Sequence, residues 1–322
     1  MDGHKIFIYD GHGTSTPIHI LENIHRSPIL AMKFNPIFEA VVSVDQKGMI
    51  EYWTGPKHEY SFPQNVAFDS KLDTDLFEFV QSKTTLLNLS ISPNGQYFAG
   101  LSANRKVNTV LILIHEILQG FFIYSRFLFQ ICIFKFSTGK LTRVFDESLS
   151  NVYDLQQKKQ IIPHMEFGRR MAMEKELEKA GMLKSSNLIF DESSNFLLYP
   201  TVIGVKVVNI VTNRLVKIIG KPETLRFLYL ALFQGKAKKF TAATTAELEA
   251  AENPTIDCIL PDPTLFCTAY KKNRFYLFTK READDPKSGE TDRDVFNEKP
   301  TKEDIIAATD ATGKNLNSYS FN

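Results

Sequence analysis

The sequence predicts an all-β protein, a partial β-propeller of roughly four blades with an inserted surface helix and a disordered C-terminal tail. Three observations support this prediction. Short apolar strands recur at regular spacing, polar turns with Gly, Pro, Asn or Asp separate them, and each set ends in a strand rich in aromatic residues. Repeated sets of this kind are typical of the antiparallel blades of a propeller.

The clearest set of strands covers residues 29–54. Its first strand stops at an Asn-Pro turn, and a run of Ala and Val residues forms the second strand. The next turn, at residues 45–48, ends in Gly48, a residue that tolerates a positive φ. The third strand carries Tyr52 and Trp53.

Further sets follow the same pattern along the chain. The second begins where apolar and polar residues alternate with the period of a half-buried strand and then meet a Ser-Pro-Asn-Gly turn. These sets lie at residues 86–107, 187–220 and, with a weaker pattern, 263–280. Residues 5–10 are predicted to be a lone last strand whose earlier strands are absent.

Two segments that join a turn to a strand resemble the WD-repeat signature. Residues 45–53 read D-x-x-G-x-I-x-x-W, and residues 136–140 read F-S-T-G-K. The match is partial, because Thr54 stands where the signature has Asp after Trp53. An antiparallel sandwich is the alternative fold that uses similar short strands.

Residues 164–183 interrupt the strand pattern. They contain no Pro and are rich in Ala, Met, Glu, Leu and Lys, which favour helices. We predict a surface helix inserted between blades. It is either a helix that binds a partner or a solvated excursion from the sheet.

A second interruption, at residues 108–131, is an apolar run about long enough to span a membrane. It contains Glu116 and Arg126, which are costly inside a bilayer. The run also divides a blade between its turn and its last strand. We interpret it as foreign to the fold, for example translated intron sequence, and a membrane-spanning segment is the alternative.

The predicted propeller covers residues 1–280, and residues 281–322 are predicted to be a linker or disordered tail. This last stretch is acidic, polar and poor in large apolar residues. Such a composition buries too little apolar surface to offset the entropy of ordering the chain.

Charge and cysteine usage exclude several classes of protein. The chain has 38 Lys and Arg against 37 Asp and Glu, so no overall field attracts nucleic acid or a membrane. Basic clusters at residues 235–239 and 271–274 are interpreted as solvated loops, and neither direct RNA contact nor a membrane is expected. The three Cys form no C-x-x-C pair, which excludes a disulfide scaffold, and the start has no secretory signal.

Motifs that carry chemistry are missing from the sequence. There is no His or Cys spacing for a metal, no nucleophile elbow, and no glycine-rich phosphate loop. We therefore predict no catalytic, cofactor-binding or metal-binding residue, no cofactor, and no small-molecule substrate.

Several long and irregular runs carry a more specific resemblance, to the peptidyl-prolyl isomerase domain and WD repeat-containing protein family. It covers nearly the whole chain apart from residues 108 to about 131 and the last dozen residues. The runs lie at residues 48–63, 145–149, 165–179, 231–239, 271–282 and 292–303.

The resemblance implies a nuclear, spliceosome-associated protein with an N-terminal WD-repeat propeller, a linker and a C-terminal cyclophilin domain. It also implies propeller blades before Met1 that this chain lacks. The catalytic Phe-His-Arg and Phe-Met-x-Gln motifs of the cyclophilin domain do not occur here. We therefore expect a non-catalytic scaffold that contacts spliceosomal proteins in pre-mRNA splicing. The alternative function is peptidyl-prolyl isomerisation by a full-length product that includes the missing domain.

Three residues are candidates for contacts with a protein partner: Arg169 and Arg170 on the predicted helix, and Tyr52 in the first complete strand set. Trp53 is also aromatic, but we predict that it belongs to the core of its blade.

Overall fold

A computed structural model describes residues 3–13, 15–104, 130–235 and 263–279. Within these ranges the chain forms five antiparallel sheets: sheet A (β1 and β2), sheet B (β3 to β5), sheet C (β6 to β9), sheet D (β10 to β13) and sheet E (β14 to β16). The strands are β1 Ile6–Ile8, β2 His19–Leu21, β3 Ile29–Asn35, β4 Ala40–Asp45, β5 Ile50–Thr54, β6 Thr84–Ile91, β7 Tyr97–Asn104, β8 Gln130–Lys135, β9 Leu141–Asp146, β10 Ile189–Phe190, β11 Phe196–Pro200, β12 Val205–Asn209, β13 Arg214–Ile219, β14 Phe227–Phe233, β15 Thr264–Ala269 and β16 Phe275–Phe278.

The helices lie outside the sheets. Three are α-helices: α1 Glu78–Gln81, α2 Leu149–Lys159 and α3 His164–Lys179. Two of them, α2 and α3, are longer than ten residues, and the other helices are single turns. Single 3₁₀ turns occur at Pro56–His58, Lys71–Asp73, Asp75–Phe77 and Met182–Ser185. No helix within the described residues is long and apolar enough to cross a membrane.

Each sheet packs face to face against the next one along the chain, because successive side chains of a strand point to opposite faces. In sheet C, Phe98 and Phe134 belong to the cluster shared with sheet B. Their neighbours Ala99, Ile131 and Ile133 belong to the cluster shared with sheet D. Further apolar clusters join sheet A to sheet B and sheet D to sheet E. This serial packing of antiparallel sheets confirms the predicted all-β, partial propeller fold.

Turns between the first and second strands tie neighbouring sheets together. The side-chain amide of Asn35, at the end of β3, donates a hydrogen bond to the Gly95 carbonyl in the corresponding turn of sheet C, at 2.8 Å. In that same turn, the backbone N–H of Asn94 donates to the Ser194 hydroxyl of sheet D, at 3.0 Å. A polar seam therefore runs along one rim, from sheet to sheet.

The structure corrects several details of the sequence-based strand assignment. Residues 5–10 are not a lone strand, because β1 pairs with β2 in the register Phe7 to Ile20. The last sheet starts before residue 263, at Phe227, the first residue of β14. Helix α2 was not predicted at all.

Of the interruption predicted at residues 108–131, the structure describes only the last two residues, 130 and 131. Gln130 and Ile131 are the first residues of β8 and pair with Asp146 and Phe145 of β9, so these two residues belong to sheet C. Residues 108–129 lie outside the described residues, as does the predicted tail at 281–322. Those two assignments, and the domain boundary at residue 280, stay predictions.

Candidate interaction surface

Helix α3 buries one face against the sheets. Phe167, Arg170, Glu174 and Leu177 are buried and recur every three or four residues, which is the spacing of one helix face. Phe167 packs with residues of α2 and sheet D, and Leu177 packs with residues of sheets C and E. The segment predicted at 164–183 therefore contains a packed helix, which ends at Lys179, before the 3₁₀ turn at Met182–Ser185.

The connection from α2 to α3 is held by a single side chain. The Gln156 amide donates to the Ile162 carbonyl at 2.5 Å and accepts from the Ile162 N–H at 3.1 Å. Gln156 is buried, so water does not compete for these bonds. The entry into α3 is thus fixed before its first turn.

Arg170 clamps α3 onto two loops of sheet D. Its side chain is only 3% exposed, and its Nε donates to Glu166 at 2.8 Å. The guanidinium nitrogens donate to the backbone carbonyls of Val202 at 3.5 Å, Ile203 at 2.7 Å, Lys221 at 2.9 Å and Glu223 at 2.6 Å. The rigid fork of Arg suits this arrangement, since its five N–H groups can serve several acceptors at once.

Glu166 balances the charge of this clamp. Burial raises the pKa of Glu166, but the bonds from Arg170 and Arg169 outweigh burial and lower the pKa overall. A carboxylate and four carbonyl dipoles thus surround the buried guanidinium, which meets the requirement that a buried charge be paired.

Two further ion pairs fix the rest of the helix. Glu174 forms a bidentate pair with Arg226, the residue before β14, with both side chains less than a tenth exposed. Glu176 pairs with Lys271 beyond β15, and that bond raises the pKa of Lys271. These partners lie far along the chain from α3, so the pairs attach the helix to sheet E.

The opposite side of the helix faces solvent. We call it the α3 outer face, formed by Met165, Gly168, Arg169, Ala172, Lys175 and Lys179. Met165 is 91% exposed, although it is a large apolar residue. The Arg169 side chain is 57% exposed and pairs with Glu166. Met and Arg are both enriched where proteins meet partners.

The structure separates the two candidate arginines. Arg169 lies on the α3 outer face, where a partner can reach it. Arg170 does not, because its donors are used inside the protein and the side chain is buried. The expectation that Arg170 contacts a partner is therefore corrected: it positions the helix that carries Arg169.

Tyr52 is likewise placed in the interior. It is 5% exposed, and its ring lies 4.9 Å from that of Phe136 and 5.4 Å from that of Phe68. Its hydroxyl donates to the Phe136 carbonyl at 3.4 Å, and burial raises the pKa of the phenol. Tyr52 therefore joins sheet B to sheet C and is not available to a partner in this fold.

Trp53 is a core residue, as predicted. Its indole N–H donates to the Ser43 hydroxyl at 3.2 Å, and that hydroxyl also bonds the His25 ring at 2.7 Å. The other ring nitrogen of His25 lies 3.7 Å from Asp45. The sequence suggested Asp45 only as a turn residue; its link to Trp53 depends on His25, whose partners no local pattern indicates.

The described residues contain no group of three or more His, Cys, Asp or Glu side chains that could hold a metal ion. Cys132 and Cys267 are free and buried. Burial raises the pKa of Cys267 to about 12 and also raises that of Cys132. Both thiols are therefore protonated near neutral pH, and neither is an activated nucleophile.

The serial packing of antiparallel sheets defines a partial β-propeller module, on which helix α3 is clamped with one face exposed. No protein-family model matches the chain. The chain is 52% identical over 309 residues to human "Peptidylprolyl isomerase domain and WD repeat-containing protein 1", across 96% of this chain and 44% of that protein. It is 40% identical to "Peptidyl-prolyl cis-trans isomerase CYP71" of Arabidopsis thaliana, across 96% of this chain and 46% of that protein.

The chain is thus homologous to part of the peptidylprolyl isomerase domain and WD repeat-containing proteins, as the sequence resemblance indicated. It spans less than half the length of these curated relatives. Among solved structures, "Crystal structure of RRP9 WD40 repeats" is 14% identical with a TM-score of 0.32, over 64% of this chain and 42% of that one.

Proposed function

We propose that this chain is a non-catalytic WD-repeat scaffold that acts by protein–protein interaction in pre-mRNA splicing. Its proposed partners are spliceosomal proteins, and its proposed location is the nucleus. Homology to WD repeat-containing proteins supports the scaffold role. The splicing role and the nuclear location rest on the sequence resemblance alone.

One observation carries the scaffold proposal: the α3 outer face is exposed while the rest of the helix is anchored on two sheets. Arg170 fixes the middle of the helix, and Glu174 with Arg226 fixes the next turn. A helix held in this way loses little conformational entropy when a partner binds. Met165 and Arg169 are then presented as rigid contact residues.

Co-purification from nuclear extract tests this function with the full chain as bait. The double variant Met165→Glu, Arg169→Glu changes two exposed residues of the α3 outer face and also removes the pair between Arg169 and Glu166. Lys158→Glu, on the exposed end of α2, is the control for reversing a charge elsewhere on an exposed helix. We expect wild type and control to enrich spliceosomal proteins and the double variant to lose most of that enrichment.

Two results would count against the proposal. If spliceosomal proteins are not enriched over a bead control, the splicing role is wrong. If the double variant enriches them as well as wild type does, the α3 outer face is not the contact surface. Fluorescence microscopy of the tagged chain tests the nuclear location separately, and a cytoplasmic signal contradicts it.

The second candidate function is peptidyl-prolyl isomerisation, which the names of the relatives favour. The two cyclophilin motifs do not occur in the sequence. A proline-peptide isomerisation assay on the purified chain separates the two functions. Catalysis that exceeds a heat-denatured control would overturn the non-catalytic scaffold.

A further inference from the structure

Sheet E has an apolar face that the described part of the chain leaves uncovered. Five large apolar residues are exposed on it: Tyr229, Phe233, Phe266, Phe275 and Leu277. Phe275, on β16, is the most exposed of them at 66%. The alternate residues of the same strands, such as Leu230 and Leu265, are buried against sheet D.

The exposed residues of sheet E form one continuous patch. Phe266 lies directly opposite Ala231 on one neighbouring strand and Leu277 on the other. Thr268 lies opposite Phe275 in the next row. Side chains opposite each other in antiparallel strands are in contact range, so the patch spans three strands. A contiguous apolar surface of this kind marks an interaction site.

Sheet A, the first described sheet, also has an apolar face that no other described residue covers. Phe7 and Ile20 are opposite each other in the register of β1 and β2, and both are exposed. Tyr9 and Ile18 extend the same face, and Ile18 is 65% exposed. The residues that alternate with them pack on Trp53 of sheet B.

The junctions inside the molecule indicate what fits these two faces. Each sheet has a leading face, toward the preceding sheet along the chain, and a following face, toward the next sheet. At the junctions B–C, C–D and D–E, the following face of one sheet packs on the leading face of the next. At the last of these junctions, the rings of Phe227 and Phe278 meet Leu198 and Val205. The outer face of sheet E is a following face rich in aromatic residues. The outer face of sheet A is a leading face that carries Phe7, Tyr9, Ile18 and Ile20.

We propose that the outer face of sheet E in one copy packs on the outer face of sheet A in a second copy. The contact repeats the sheet-on-sheet junctions already present within the chain. It joins two different faces, so it is a head-to-tail contact, and the assembly keeps one free sheet A face at one end and one free sheet E face at the other. It does not involve the α3 outer face and is independent of the proposed splicing role.

Sedimentation velocity of the purified chain at increasing concentrations tests the proposal. Wild type is expected to form dimers and larger species as the concentration rises. Leu277→Lys with Phe275→Lys removes the sheet E face, and Phe7→Lys with Ile20→Lys removes the sheet A face. Each variant alone is expected to stay a monomer, because every contact needs one face of each kind.

Mixing the two variants is the decisive measurement. The sheet E face of one variant and the sheet A face of the other are intact, so the mixture is expected to give a dimer and nothing larger. Val216→Lys, at an exposed position of β13, is the control and should assemble like wild type. Circular dichroism verifies that each variant is folded. If a double variant does not fold, the single substitution Phe275→Lys or Ile20→Lys replaces it.

Three outcomes would overturn the proposal. One is a wild-type chain that stays monomeric at every concentration, which would mean that something other than a second copy covers these faces. Another is a mixture of folded variants that remains monomeric. The third is an assembly that both variants still form, since it would use a different surface.

Discussion

Glu174 and Arg226 form a bidentate ion pair that joins helix α3 to the start of β14. Arg226 Nε lies 2.5 Å from one carboxylate oxygen of Glu174, and Nη2 lies 3.1 Å from the other. The two residues are 52 positions apart in the sequence. Arg226 also donates to the Phe227 carbonyl at 2.5 Å, so the guanidinium has acceptors on both sides.

We expect Glu174→Ala to lower the free energy of unfolding by about 3 kcal/mol, because it leaves Arg226 buried without a counter-charge. A combined Glu174→Leu, Arg226→Met variant should recover much of that loss, since both charges are then removed. Urea denaturation measures both effects. Lys57→Ala breaks the exposed pair with Glu39 and should change stability little. Equal losses in the single and combined variants would contradict this account.

Arg170 and Arg169 should respond very differently to the same substitution. Arg170→Ala leaves the carbonyls of the buried residues Val202 and Ile203 without this donor and Glu166 without its buried partner, so we expect a loss of about 3 kcal/mol. Arg169→Ala removes an exposed side chain and should change stability by less than about 0.5 kcal/mol. Arg170→Lys should rescue little, because an ammonium group cannot reproduce the fork. Similar urea midpoints for the two Ala variants would show that the clamp contributes nothing.

Asp45 should make stability depend on acid pH. Burial raises the pKa of Asp45, but the His25 ring 3.7 Å away and hydrogen bonds from the Ser27 hydroxyl and the Met49 N–H lower it overall from 3.8. A carboxyl with a lower pKa in the folded state stabilises the protein fully above its unfolded value of 3.8, and that stabilisation is lost as the pH falls through the folded pKa.

The variant Asp45→Asn isolates this contribution. It should be less stable than wild type at pH 7 and should lose less stability between pH 7 and acid. Unfolding midpoints in urea, measured at a series of pH values, give the two curves. Parallel curves would mean that the ionisation of Asp45 does not support the fold.

Two glycines should respond to alanine in opposite directions. Gly48 has a φ of +78°, and a Cβ there would lie 2.2 Å from the Thr84 carbonyl oxygen at the start of sheet C. Gly48→Ala should therefore lower the free energy of unfolding by about 1 to 3 kcal/mol. A Cβ at Gly168, on the α3 outer face, meets nothing within 4 Å. Gly168→Ala should stabilise by up to about 1 kcal/mol through helix propensity. Thermal unfolding of both variants checks the signs.

The strand sets with strong turn signals were predictable from sequence. The Ser-Pro-Asn-Gly turn between β6 and β7 is an example, because its residues favour that backbone locally. β2 was missed, because three residues are too few to display alternation. β14 was missed as the start of a sheet, because its seven-residue run is almost wholly apolar and lacks a period.

The candidate surface was predictable only in part. Helix propensity was sufficient to find α3 and to place Arg169 on it. Nothing local distinguishes Arg169 from Arg170, which are adjacent and chemically identical. Their difference comes from the loops of sheet D, whose carbonyls approach only one of them. Tyr52 was misjudged for a similar reason, since its packing partners come from sheet C and from the segment after sheet B.

Along the polar seam on the turn rim, each sheet is bonded to the sheet next to it, so its stability depends on its nearest neighbours. The bond that the Asn35 side chain makes outside its own sheet goes to the following sheet, and the bond from the Asn94 N–H to Ser194 does the same one sheet further on. In such a linear array, opening one end breaks a single junction, whereas opening an inner sheet breaks two. Amide hydrogen exchange should therefore be fastest in sheets A and E and slowest in sheet C, a gradient of protection that follows the order of the sheets.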